Sequence, residues 1–159
     1  AVSAPLAAYA AWAAARSRRD LEEAFTRVFD LSPVCVLEVG WHLYGEDYNR
    51  GAFMARVRGQ LAEHGIDEQG ELPDHLVNVV PLLAALLHDE AASLADELVL
   101  PALAAMQAPL QKDASPFAPL LAATIELVRS TFGIEEIRPI TRADRSVPMG
   151  SCGKGVRRG

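Results

Sequence analysis

Residues 47–65, with the sequence DYNRGAFMARVRGQLAEHG, carry the pattern that decides the fold class. The apolar residues Phe53, Val57 and Leu61 recur at every fourth position, which places them on one stripe of an α-helix. Gly65 is typical of the residue that follows a helix, because glycine adopts the left-handed conformation without strain. The stretch therefore predicts an amphipathic helix that begins near its first residues and ends just before Gly65.

The helical period continues along most of the chain, and β-branched residues never alternate with polar ones for long. Proline, glycine and polar clusters divide the sequence into further helical segments at about 5–15, 20–29, 34–44, 73–87, 94–110 and 115–132. Ser17 or Asp20 is positioned to cap the second of these segments. A buried strand stays open as an alternative for 34–44, because a short apolar run fits either structure. We expect an all-α fold, a single-domain antiparallel helical bundle of about six helices.

The helical pattern defines a domain over residues 1–132 and stops at Gly133. The following residues, 133–159, are rich in proline, glycine and arginine and predict an extended or mobile tail. Pro81 is expected to kink its helix, since proline removes one backbone donor and clashes with the preceding turn. Pro101 marks a second expected bend.

The composition excludes several classes of protein. The chain has 159 residues, 21 acidic against 15 basic, and a formal net charge of −6. It has no broad basic stripe, which argues against a nucleic-acid partner. No apolar run reaches the roughly 18 residues of a membrane span, because arginines close the Ala-rich opening. The two cysteines, Cys35 and Cys152, do not make a disulfide framework, so we expect a cytoplasmic protein.

The candidate chemical groups do not form a catalytic or metal-binding pattern. None of the four histidines has a partner at the spacing that brings two ligands to one helix face. These histidines are His42, His64, His75 and His88. Cys35 lies in an apolar run where a thiol is usually inert. Asp74 is interpreted as a helix cap and not as the orienting partner of His75, because adjacent helical residues point in different directions. We expect no catalytic residues, no metal and no cofactor.

Residues 41–51, WHLYGEDYNRG, concentrate the aromatic and polar groups of an otherwise Ala- and Leu-rich chain. Much of the stretch fits a helix junction, in which Gly45 ends one helix and the two following acids begin the next. Its aromatic rings then fit core positions. That interpretation leaves a cluster of hydrogen-bonding groups unexplained, formed by His42, Tyr44, Glu46 and Arg50.

The order of several short motifs resembles a known family. F-x-x-x-F-D-L is followed by H-x-Y-G-E-D-x-x-R-G-x-x-M, by an H-G turn, and by E-L-P-D-H-L before an apolar helix. This order is similar to the nitrate reductase delta-subunit (NarJ) branch of the NarJ/TorD/DmsD family of molybdoenzyme assembly chaperones. The likeness covers about residues 20–130, and its sharpest pieces are HLYGEDYNRG (42–51) and ELPDHL (71–76).

The resemblance implies an all-helical, cytoplasmic chaperone that is not an enzyme. Its partner would be the apo catalytic subunit of a molybdenum oxidoreductase, with respiratory nitrate reductase as the best candidate. It would bind the N-terminal peptide of that subunit and hold the subunit competent for insertion of the molybdenum cofactor. Two other hypotheses stay open: a helical structural or interaction subunit retained in a redox complex, and a metal-dependent helical enzyme.

The two sharpest motifs supply the candidate peptide-binding residues. These are Trp41, His42, Tyr44, Glu46, Asp47, Arg50, Pro73, Asp74 and His75. A protein that binds a helical peptide needs an apolar groove, a few polar anchors and, for a basic peptide, an acidic surround, which the net charge of −6 fits. Arg50 and Asp74 are the members most expected to pair with other protein groups and to fix the helix junctions.

Overall fold

A computed structural model of the chain describes residues 2–31 and 34–140. The predicted restart of the chain at Pro33 lies outside these residues. So does the larger part of the predicted tail, including Cys152 and the GKGVRRG sequence.

The described residues are helical with irregular connections, which confirms the all-α prediction. The helices are α1 (Ser3–Ala14), α2 (Arg18–Phe29), α3 (Val39–Tyr44), α4 (Tyr48–Glu63), α5 (Leu76–Ala85), α6 (His88–Leu94), α7 (Leu100–Lys112) and α8 (Ala118–Phe132). A π-helical turn, Ala95–Val99, joins α6 to α7 without a break. No described helix is both long and apolar enough to cross a membrane.

Local signals set several of these boundaries as the sequence predicts. Ser17 and Asp20 form a capping box at the start of α2, with the Asp20 amide donating to the Ser17 hydroxyl at 3.2 Å. Hydrogen bonds from Ser17 lower the pKa of the Asp20 carboxyl. Asp47 caps α4 by accepting from the Asn49 amide at 2.8 Å. Gly65 has a φ of 65°, the left-handed geometry expected after α4.

The core is centred on α7. Leu103 and Met106 of this helix are fully buried. α7 packs against α3 and α8, while α4 and α5 meet each other at the other end of the core. The stripe predicted for α4 is confirmed, since Phe53, Val57 and Leu61 are each at most 1% exposed. Burial of this kind, at roughly 1.5–3 kcal/mol for each large apolar side chain, is the main stabilising term of the fold.

The segment 34–44 differs from both predictions made for it. Only Val39–Tyr44 is helical; residues 34–37 are bends and irregular backbone, and Glu38 forms an antiparallel bridge with His75. The Val39 amide donates to the Asp74 carbonyl at 2.8 Å. Pairing across the chain thus satisfies backbone groups that a longer helix would have satisfied locally.

Three prolines lie in or beside the helices predicted for this part of the chain. The helix predicted from Pro73 begins at Leu76, because Pro73 lies in the preceding turn. α5 continues through Pro81 as far as Ala85. The π-helical turn lies just before Pro101, which has no amide hydrogen to donate to the Glu97 carbonyl, so the helical ladder widens there.

The first two helices attach through an aromatic cluster around Phe117. The rings of Tyr9, Trp12, Phe25 and Phe29 all lie with their centres within 6.0 Å of the Phe117 ring. Neither α1 nor α2 has a fully buried residue of its own. Phe117, which is 7% exposed, is therefore the anchor that holds both helices to α8.

Replacing Phe117 with alanine should loosen α1 and α2 from the bundle. We expect the free energy of unfolding in urea to fall by about 3 kcal/mol, since the ring is lost from a packed site that does not fully collapse. Tyr48→Ala is the control, because Tyr48 is 89% exposed. An equal loss in both variants would contradict this account of how the first two helices are held.

Candidate functional site

The two motifs of the resemblance meet at an ion pair between Arg50 and Asp74. The Arg50 Nε donates to Asp74 Oδ2 at 2.9 Å, and a second guanidinium nitrogen lies 3.4 Å from Oδ1. The Asp74 side chain is completely buried, and that of Arg50 is 16% exposed. Since a buried carboxylate needs a charged partner, this pair fixes the start of α4 against the turn before α5.

The ion pair packs directly against Gly40. A Cβ atom at Gly40 would lie 2.6 Å from Asp74 Oδ2, 3.0 Å from a ring carbon of Phe53 and 3.1 Å from Arg50 Cγ. All three distances are shorter than normal carbon contacts. Glycine is therefore required here because α3 approaches the ion pair closely, and not because of its backbone conformation.

Trp41 presents its ring at the surface beside the ion pair. It is 38% exposed, so its assignment to the core is wrong. The Arg50 guanidinium carbon lies 5.5 Å from the centre of the Trp41 ring, a cation–π arrangement. Arg50 thus contacts Asp74 and also restrains an exposed indole.

His42 lies on the inner side of the same helix and acts as a structural hydrogen-bond donor. Its Nε2 lies 2.9 Å from the Val36 carbonyl, which only accepts, so Nε2 carries the proton. Burial lowers the pKa of His42, opposed by this hydrogen bond and by the charge of Glu38. This hydrogen bond ties the irregular segment before α3 to the helix itself.

The remaining residues of the first motif divide between core and surface. Tyr44 is buried, with its ring centre 6.0 Å from that of Phe53. Glu46 and Asp47 are exposed, and Asp47 is engaged as the cap of α4. Glu46 is thus the exposed carboxylate that local structure does not use.

In the second motif, the residue that caps α5 is not the one predicted. Pro73 and Asp74 are buried, and His75 is half-buried. Asp74 does not cap α5, because the long-range pair with Arg50 engages its carboxylate. His75 is the cap, since its Nδ1 accepts from the Val77 amide at 3.1 Å.

Sequence reasoning missed Asn78, which is completely buried. Its side-chain amide donates to the Leu72 carbonyl at 2.9 Å, and its Oδ1 accepts from the Gln69 amide at 3.1 Å. These bonds hold the loop before α5 against the helix. A sequence signal exists, because Asn78 is the one polar residue in the run LVNVVPLLAALL.

Groups for metal or nucleophilic chemistry do not converge in the part of the chain described here. No three His, Cys, Asp or Glu side chains within residues 2–31 and 34–140 lie close enough to hold a metal ion. Burial, with a smaller effect of Glu38, raises the pKa of the Cys35 thiol to about 11. Cys35 is thus a protonated core thiol at neutral pH.

The close contact at Gly40 predicts a specific sensitivity to one methyl group. We expect Gly40→Ala to lower the free energy of unfolding by about 2 kcal/mol, because overpacking displaces the ion pair. Gly51→Ala is a matched control, since a Cβ atom there meets nothing within 4 Å. That variant should be neutral or slightly stabilising, because alanine favours a helix over glycine. Equal effects in urea unfolding would contradict the role given to Gly40.

The lowered pKa of His42 predicts a loss of stability in mild acid. The unfolded chain takes up a proton at an ordinary histidine pKa of about 6.5, whereas the folded site resists protonation. The free energy of unfolding should therefore fall as the pH drops below about 6.5. His42→Gln should reduce that slope, and His64→Gln, at an exposed position, should leave it. Identical pH profiles for the two variants would contradict the lowered pKa of His42.

Comparison with known proteins shows which family the chain belongs to. A family model described as nitrate reductase delta subunit matches residues 1–123. The chain is 29% identical over 119 residues to the nitrate reductase molybdenum cofactor assembly chaperone NarJ of Escherichia coli strain K12, and equally to its counterpart in Escherichia coli O157:H7. Each alignment covers 74% of this chain and 50% of the relative, so the chain spans about half the length of these relatives. Because the family model covers most of the sequence, the resemblance is confirmed and the chain belongs to the nitrate reductase delta subunit family.

Proposed function

We propose that the chain acts as an assembly chaperone for a molybdenum-containing oxidoreductase, with a respiratory nitrate reductase as the best client. It binds the N-terminal peptide of the apo catalytic subunit and holds that subunit competent for insertion of the molybdenum cofactor. It performs no catalysis itself. The observation that carries the proposal is family membership, joined to the likeness to chaperones named for this task.

The geometry of the two motifs supports a binding role. Arg50 and Asp74 bring the motifs together and hold Trp41 with its ring half open to solvent. Glu46 lies exposed at the same junction. An aromatic ring beside a carboxylate suits a peptide that carries apolar and basic residues.

Charge and thiol state support the proposed partner and compartment. The net charge of −6 favours a basic peptide, whose approach it accelerates at low salt. Cys35 is a free, buried thiol, as a reducing compartment would keep it. We place the chaperone in the cytoplasm and its activity in residues 1–132.

Calorimetric titration with the first 15 or so residues of the catalytic subunit tests the proposal. We expect a dissociation constant at or below about 1 µM and weaker binding as salt increases. Trp41→Ala should weaken binding about tenfold, because exposed aromatic rings dominate such contacts. Tyr48→Ala, another exposed aromatic at this junction, is the control. Absence of binding to the cognate peptide, with a scrambled peptide as reference, would overturn the proposal.

A retained structural subunit is the alternative that this chaperone hypothesis has to exclude. Size-exclusion chromatography of the mature, active reductase separates the two. A chaperone is absent from the finished enzyme, whereas stoichiometric co-elution would identify a permanent subunit.

A further inference from the structure

The outward side of α5 is an apolar surface that is exposed among the residues the structure describes. Its exposed residues are Val77, Val80, Pro81, Ala84 and Ala85; together with Leu87, an exposed leucine in the connection that follows the helix, they are here called the α5 apolar face. Val80 and Leu87 are 36% and 74% exposed. The opposite side of the helix, with Val79 and Leu82 fully buried, supplies the core contact.

This surface lacks the charges that a solvated helix normally carries. Residues 76–87 include no acidic or basic side chain. By contrast, the exposed sides of α2 and α4 are rich in arginine and glutamate. A solvent-facing helix side that is entirely apolar is typical of a surface that another segment covers.

Pro81 adds a polar feature to the middle of the surface. Proline has no amide hydrogen, so the Val77 carbonyl lacks its usual donor four residues later. Val77 and Pro81 are both exposed. A carbonyl in this position is able to accept a hydrogen bond from a side chain of a docked segment. Such a bond would fix the position of that segment along α5.

Acidic residues flank the α5 apolar face at both ends. Residues 59–111 contain nine acidic residues and no lysine or arginine. Glu71 lies in the loop that Asn78 holds against the first turn of α5, and Asp89 and Glu90 lie in the first turn of α6, which begins at His88. All three are exposed, and no basic side chain of the described residues pairs with them.

We propose that the α5 apolar face binds an amphipathic helical segment of another protein that carries lysine or arginine near both ends. The helical part of the face, from Val77 to Ala85, is about 12 Å long, which fits a partner of roughly two turns or more. The apolar stripe of the partner covers Val77, Val80 and Leu87, and its basic ends meet Glu71, Asp89 and Glu90. A second copy of the chain is the poorer occupant, because two acidic rims would then face each other.

This inference rests on the proposed function in one respect, because the segment we expect on the face is part of the client's N-terminal peptide, which contacts α5 in addition to the contact proposed at Trp41 and Glu46. It also changes the role of the ELPDHL motif. Asp74 and Pro73 are buried, so the motif anchors the first turn of α5 to Arg50 and thereby sets which side of α5 faces outward.

A designed peptide tests the surface whatever the identity of the client. The probe is a fluorescein-labelled helical peptide with leucines at helical spacing and lysines at both ends, and its binding is followed by fluorescence anisotropy. A peptide of the same composition with a scrambled leucine pattern, and one with glutamates at the ends, are the ligand controls. We expect binding of the probe alone, weakening as salt is added.

Charge substitutions on the face provide the decisive comparison. Val80→Glu and Leu87→Glu should each weaken probe binding about tenfold or more, because a carboxylate replaces a buried apolar contact. Leu31→Glu is the matched control, since Leu31 is 78% exposed against 74% for Leu87. It should change binding less than about twofold. Urea unfolding of each variant verifies that the fold is kept.

The outcomes separate this inference from the proposed function. If the cognate client peptide binds but the face variants bind it as tightly as the unaltered chain, the chaperone function stands and the α5 location is overturned. If the probe binds at the face and the cognate peptide does not, the location stands and the function fails. Concentration-dependent dimerisation that Leu87→Glu abolishes would show a second copy on the face and overturn the proposal.

Discussion

The buried ion pair between Arg50 and Asp74 is the constraint on which the rest of the structure depends. A completely buried carboxylate is costly unless a charged partner and hydrogen bonds compensate it, so the two residues have one mutual arrangement. The backbone around them is tied in as well. The Val39 amide donates to the Asp74 carbonyl, and the Leu76 amide to the Leu37 carbonyl at 3.0 Å. Three chain segments that lie far apart in sequence therefore meet at one point.

The ion pair sets the orientation of two neighbouring surfaces, the one at Trp41 and the outward side of α5. On one side Arg50 lies over the ring of Trp41 and keeps it at the surface. On the other side Asp74 precedes α5, and Asn78 adds two hydrogen bonds that hold the incoming loop. Because both ends of the first turn of α5 are fixed, the helix has no freedom to rotate its outward apolar side into the core. Buried polar groups thus determine which apolar groups stay exposed.

Local signals allowed much of the fold to be predicted from the sequence. The stripe of α4, the capping box of α2 and the glycine after α4 all depend on residues within a few positions of one another. The predictions that failed concern contacts between residues far apart in the sequence. Asp74 looked like a helix cap by the local dipole argument, but a partner 24 residues away engages it. Glu38, just before α3, pairs with His75, and no local pattern records that pairing.

Within the candidate site, too, the sequence identifies the residues but not which of their side chains are buried. A motif identifies residues that occur together, but Tyr44 and Asp74 support the site from inside while Trp41 and Glu46 face solvent. Sequence periodicity also could not choose between the two apolar sides of α5, because both sides carry leucine and valine. The choice came from Asn78, whose buried amide marks the inner side. In a helix that is apolar all round, the position of one buried polar residue therefore indicates the side available to a partner.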